Sequence, residues 1–156
     1  MKKGILALMI GFLLIGVNLY AAGDLIVEGN VGVGTTAPNT KVDIAGGIAL
    51  RAGAFTAVNG NNNNINIGGT SFIRITGPTA AFSITGIAGG VDGKVVILYN
   101  AAATYNMTIA NENTNSTATN RITTLTGSGV VTTGVGAITL IYDSTASRWI
   151  VTSVRQ

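Results

Sequence analysis

The sequence predicts an all-β protein, a jelly-roll-like β-sandwich body preceded by an extended N-terminal β arm. Three observations predict it. Beyond residue 22 the chain is rich in Gly, Asn, Thr, Val and Ile and poor in Glu, Gln, Lys and Leu. Branched side chains suit a pleated surface, whereas Gly and Asn accept the positive-φ corners of tight turns. Short apolar or alternating segments recur with turn signals between them. No stretch after residue 22 keeps a helical apolar period over three turns.

In chain order, strands are expected at Leu25–Val27, Lys41–Ile44, Ile48–Arg51, Phe55–Val58, Ile65–Ile67 and Phe72–Thr76. Further strands are expected at Phe82–Thr85, Lys94–Tyr99, Met107–Ala110, Ile138–Tyr142 and Trp149–Ser153, with at most one helical turn near Ser116–Arg121. The separators are "NGNNNN" (59–64), "GG" (68–69), "GP" (77–78), "GGVDG" (89–93) and "NENTNSTATN" (111–120). Residues 23–53 are thinly apolar and carry too little side-chain volume to bury a core alone. Residues 54–156 hold nearly all the aromatics and two dense apolar strands, "KVVILYN" and "AITLIYD". Such continuous runs predict strands covered on both faces. The division is therefore a leader at 1–22, a glycine-rich β arm at 23–53 and a sandwich at 54–156.

The leader places Lys2 and Lys3 before an apolar run and ends on Ala21, Ala22 and Gly23. That is the layout of a secretory signal peptide. A retained anchor is the competing reading, because Gly4–Ala22 approaches the ~20 residues that span a bilayer. The formal net charge is +3, two of these charges being the leader's lysines. No Lys/Arg cluster remains beyond it, so no nucleic-acid footprint is expected. Without Cys, extracellular stability rests on packing or on association rather than on disulfides.

The stretch "EGNVGVGTTAP" (28–38) raises the question of a phosphate loop. Its glycines follow G-x-x-G-x-G, whereas a dinucleotide fingerprint needs G-x-G-x-x-G before a helix and a P-loop ends in G-K-[ST]. Thr35-Thr36-Ala37-Pro38 and another expected strand follow instead. The glycines are read as turn and close-approach residues, and nucleotide binding is rejected. Neither His nor Cys is present, which removes the commonest general base and the strongest side-chain nucleophile. The scattered acids resemble turn residues more than a catalytic pair, so no enzyme activity and no cofactor are expected. Asp92-Gly93 reads as a turn opening a strand, not as a calcium repeat. The triplets at 106–108 and 115–117 fit a glycosylation sequon but carry no site. Among the aromatics, Tyr99, Tyr142 and Trp149 are expected in or at the edge of the core, and Tyr105 is expected to be exposed.

Two segments resemble a known group. "GDLIVEGNVGVGTTAPNTKVDIAGGI" (23–48) is similar to the "GNVGIGTT-x-P…KLDV-x-G" segment of bacteriophage tail-fibre and related bacterial surface proteins. The matching positions are Gly29 to Gly32, Gly34 to Thr36, Pro38, Lys41 to Ile44 and Gly46. "DGKVVILYNAAATYNMTIANENTNSTATNRI" (92–122) and "GAITLIYDSTASRW" (136–149) resemble the β-sandwich module near fibre tips. The resemblance implies a trimeric stalk segment and a homotrimeric sandwich head. The export leader, and an end at Gln156 without a self-cleaving chaperone domain, suggest a short bacterial relative rather than a virion part.

Two functions are in view. In the first, the chain is a non-enzymatic extracellular subunit that assembles with itself into a fibre or filament by strand pairing. Leu25, Val27, Val31, Val33, Val42 and Ile44, which the arm cannot bury alone, would form the interface. In the second, the chain is a trimeric tail-fibre-like adhesin whose loops Asn59–Asn64 and Asn111–Asn120 bind a surface glycan or host receptor. The partner is thus another copy, as homotrimer or head-to-tail filament, with glycan or receptor as the addition. Plain turns remain the simpler account of those asparagines.

Overall fold

The computed structural model describes residues 27–155. The leader and Leu25 lie outside the described residues, as does most of the strand expected at Leu25–Val27. The chain divides into two compact units between Ile48 and Ala49. The boundary drawn from composition after Gly53 is therefore moved back. Gly53 sits inside strand β3 (Ala52–Thr56), which pairs with β5 (Phe72–Thr76) of the body.

The first unit contains β1 (Val31–Val33) and β2 (Val42–Ile44), paired parallel to each other with Val31 opposite Val42 and Val33 opposite Ile44. The arm is thus not one open extended strand. It doubles back, so that each strand already has one partner, and among the described residues its other edge pairs with no strand.

The body is all-β, with two sheets closing on one apolar core, as expected. Strand β4 (Gly60–Asn62) starts the second sheet, and the chain then alternates between the two. β5 returns beside β3, β6 (Phe82–Ile84) lies beside β4, β7 (Val95–Asn100) beside β5 and β8 (Met107–Ile109) beside β6, all parallel. The path is a two-sided coil of stacked turns, unlike the antiparallel Greek keys of a jelly roll. After β8 a single 3-10 turn, Ala118–Asn120, falls where a helical turn was expected. β9 (Ile122–Thr123) and β10 (Val130–Thr132) follow, and the hairpin of β11 (Gly136–Asp143) and β12 (Arg148–Arg155) closes the larger sheet. The orders are β3-β5-β7-β11-β12-β9 and β10-β8-β6-β4.

Alternation decides which side chains enter. Ile73 and Ile75 of β5, Val96 and Leu98 of β7, and Ile138 and Leu140 of β11 point inward from one sheet. Phe82, Ile84, Met107 and Ile109 meet them from the other. Register stacks like on like between successive turns of the coil: Phe82 on Met107, Ile84 on Ile109 and Ile73 on Leu98. The runs "KVVILYN" and "AITLIYD" are not covered on both faces, however. Val95 is exposed and Ile97, Tyr99, Ile141 and Ile150 are half-buried on the outer face. Their branched side chains satisfy strand propensity on both faces while the second sheet covers only one.

The buried polar groups are fully committed. Asn100 donates through Nδ2 to the carbonyls of Tyr105 (2.9 Å) and Gly134 (2.8 Å), and its Oδ1 accepts the Ala102 N–H (3.1 Å). Thr85 and Ser116 share a hydroxyl contact of 2.8 Å, and Ser116 Oγ also accepts the Asn64 N–H at 3.0 Å. No buried side-chain N or O among the described residues lacks a partner. Such satisfaction is what makes a polar interior tolerable.

Gly86 shows how tightly the coil closes on the 3-10 turn. A Cβ there would stand 2.6 Å from both Asn120 O and Ser116 Cβ. The Gly86 carbonyl accepts the Ile65 N–H at 2.9 Å, and Asn120 O accepts the Ile87 N–H at 2.9 Å. Neither neighbour can step aside without breaking a backbone bond. Gly86→Ala is expected to cost about 2 kcal/mol through overpacking, read as a lower denaturation midpoint. A variant as stable as the parent would contradict this close approach.

Candidate assembly surface

The arm's geometry follows from its short polar residues. β1 and β2 exchange backbone bonds at their ends, Val31 N–H to Lys41 O (2.8 Å) and Ala45 N–H to Val33 O (2.9 Å). The connection is braced from within. Asp43 Oδ2 accepts the Asn39 N–H at 2.9 Å, Thr35 Oγ1 accepts the Ala37 N–H at 3.2 Å, and Asn30 Nδ2 donates to Pro38 O at 3.3 Å. Lys41 Nζ donates to Glu28 O at 3.1 Å. Gly34 has φ +75°, and a Cβ on it would stand 3.1 Å from Ala45 O. This glycine makes the turn after β1 and admits the returning chain, the use expected from its position.

The expected interface residues fall into two groups. Val27, Val33 and Val42 are 44%, 52% and 61% exposed. Val31 and Ile44 are half-buried against each other's strands. The buried apolar core contains no described residue before Ala57. A two-stranded sheet of three-residue strands is marginal by itself, and parallel pairs are ordinarily covered on both faces.

The asparagine loops are built differently from a ligand surface. Asn59 Oδ1 accepts the N–H groups of Thr79 (2.8 Å) and Ala80 (3.0 Å). Asn62 is buried, accepts the Val58 N–H at 2.9 Å and donates to three carbonyls, those of Val58, Gly60 and Ser83. Asn64 Oδ1 accepts from Thr117 N, Thr117 Oγ1 and Asn120 Nδ2 at 2.9–3.0 Å. Asn111 Oδ1 accepts the N–H (2.9 Å) and hydroxyl (3.1 Å) of Thr124. These amides hold the turns of the coil together and have little left for a sugar.

Tyr142 and Trp149 are buried, edge to face at 5.2 Å. Tyr99 is half-buried on the outer face, stacked on Phe72 at 6.1 Å with Arg74 above its ring at 5.4 Å. Tyr105 is half-buried beside a groove rather than fully exposed. Asp92 accepts the Ser144 N–H at 2.9 Å, and that bond holds its carboxyl below the usual range. Gly93 beside it has φ +73°, and the pair makes the turn into β7. Among the described residues no group of three His, Cys, Asp or Glu side chains could hold a metal, and no helix is long and apolar enough to cross a membrane. Arg74 escaped the sequence reading. Its one signal was a charge amid the alternation "FIRIT".

No family model matches the chain, and a search of curated proteins finds no significant match.

Proposed function

We propose that the protein is a non-enzymatic, exported structural subunit that assembles with other copies into a surface fibre or filament through its N-terminal unit. The carrying observation is the exposure of Val33 and Val42 on a parallel β pair, and of Val27 ahead of it, with no third strand joining the pair among the described residues. Apolar side chains on so small a sheet gain from a second surface, at roughly 25 cal/mol per Å² buried. The free edges of β1 and β2 offer N–H and C=O groups to an incoming strand. A head-to-tail contact of this kind, if it does not close into a ring, propagates into a filament. The export leader and the tail-fibre-like stalk motif support a location outside the cell.

The test is a deletion of residues 23–47 behind an intact leader. The truncated protein is expected to fold, since every core side chain among the described residues lies in the body, and to sediment as a monomer where the parent forms fibres. Fibres of unchanged appearance from the truncated protein would refute the assignment.

A further inference from the structure

The groove where β5 and β7 end points to a second activity, independent of assembly. It has a volume of about 320 Å³ and is open on one side. Arg74, Thr76 and Pro78 form one wall, and Ala102, Thr104 and Tyr105 the other. Arg74 leaves the outer face of β5 and rests over Tyr99, which is itself held by Phe72. The guanidinium is therefore positioned, yet it has no carboxylate or carbonyl partner among the described residues. The hydroxyls of Thr76, Thr104 and Tyr105 are also without protein partners there.

Charge in the body is unevenly placed. Asp92, Glu112 and Asp143 are its acidic side chains. Asp143 ends β11 opposite Arg148, Glu112 is paired with Arg148 at 2.8 Å, and Asp92 bonds Ser144 beside Asp143. All three thus sit at one end of the larger sheet, with Lys94 and Arg121 close by. Arg74 lies toward the other end, in one cross-strand row with Tyr99, Ala137 and Arg155. No acid shares that row. Among the described residues of the body, no side-chain carboxylate is hydrogen-bonded or ion-paired to Arg74.

We infer that this groove binds a carboxylated saccharide, a uronate unit of an acidic polysaccharide. A guanidinium matches a carboxylate with two parallel hydrogen bonds. The Thr and Tyr hydroxyls match ring hydroxyls, and the Pro78, Ala102 and Tyr105 surfaces match the apolar face of a pyranose. The volume exceeds what a lone carboxylate needs, and the open side lets a polymer continue past the bound unit.

The experiment uses the processed full-length protein, immobilised, and two soluble probes: an oligogalacturonate and the same oligosaccharide with its carboxyls reduced to alcohols. The oligogalacturonate is expected to bind and the reduced form to bind about tenfold or more weakly, the worth of a charged hydrogen-bonded pair. Arg74→Ala is expected to bring both probes to the same weak level, and Arg74→Lys to recover part of the difference. Tyr105→Ala should weaken both probes, with circular dichroism matching the parent for each variant. Equal binding of the two probes, oligogalacturonate binding unchanged by Arg74→Ala, or no binding at all would each overturn the assignment. Fibre formation is measured separately and is expected to be unaffected by Arg74→Ala.

Discussion

Trp149→Ala is expected to lower the free energy of unfolding by about 3–5 kcal/mol, the range for removing a large aromatic from a packed interior. Trp149 is wholly buried and joins three parts of the body. Its ring meets Tyr142 edge to face, its Nε1–H donates to Ile87 O at 2.8 Å, and its backbone N–H donates to Arg121 O at 3.0 Å. Ile87 belongs to the coil, Arg121 leads into β9, and Tyr142 sends its hydroxyl to Thr119 O at 3.1 Å. Truncation therefore opens a void and also strands a buried carbonyl. Trp149→Phe should fall between, because it fills most of the space but leaves Ile87 O without its donor. The order parent, Phe, Ala is read from denaturant midpoints at constant slope. Against a typical total of about 5–15 kcal/mol, the Ala variant would stand near the limit of folding. A loss below about 1 kcal/mol would mean that Trp149 does not knit hairpin to coil.

How far these features were legible in the sequence differs from element to element. β5 was read at its observed bounds because "FIRIT" alternates cleanly between flanking turns. The closing hairpin was legible from its dense apolar runs around a short polar turn, although those runs suggested cover on both faces where the second sheet covers one. β4 was not: "GNN" has no strand propensity, and it is a strand because Phe82–Ile84 lies beside it and Asn62 bonds Ser83 O. Tertiary pairing overrode composition there. The coil itself was hidden because stacked positions share apolarity without sharing identity, as in Phe82 on Met107 and Ile73 on Leu98. The arm's thin apolar content was visible, but its doubling back was not, since that depends on Gly34 and on side chains bonding across the loop. The groove was out of reach of sequence pattern altogether. It forms where two strand ends, distant in the chain, stop side by side.

Asn100→Asp is expected to be the most damaging near-isosteric change in the body, and its damage is expected to depend on pH. Asn100 is fully buried, and its Nδ2 donates to Tyr105 O and Gly134 O, with a longer contact to Thr132 Oγ1 at 3.4 Å. A carboxylate in that place would aim an acceptor at two carbonyl acceptors and bury a charge whose hydrogen-bond partners include no cation. Both effects disfavour the ionised form, so the folded-state pKa of the introduced acid lies above its unfolded value of about 3.9. The sign follows from proton linkage. Below the unfolded value the acid is protonated in both states, and its O–H can still donate to one of the two carbonyls. As pH rises the unfolded chain releases its proton first, and stability falls until the folded-state pKa is passed. The variant is thus expected to lose several kcal/mol relative to the parent at pH 7, the cost of an unpaired buried charge, and markedly less at pH 4. Asn100→Leu, which lacks a charge, should be destabilised at both pH values without that slope. Midpoints of the three proteins at pH 4 and pH 7 decide it. If the Asp variant tracked the parent across that interval, the amide would be facing water rather than the Tyr105 and Gly134 carbonyls, and the corner joining β7 to the loop before β11 would need a different account.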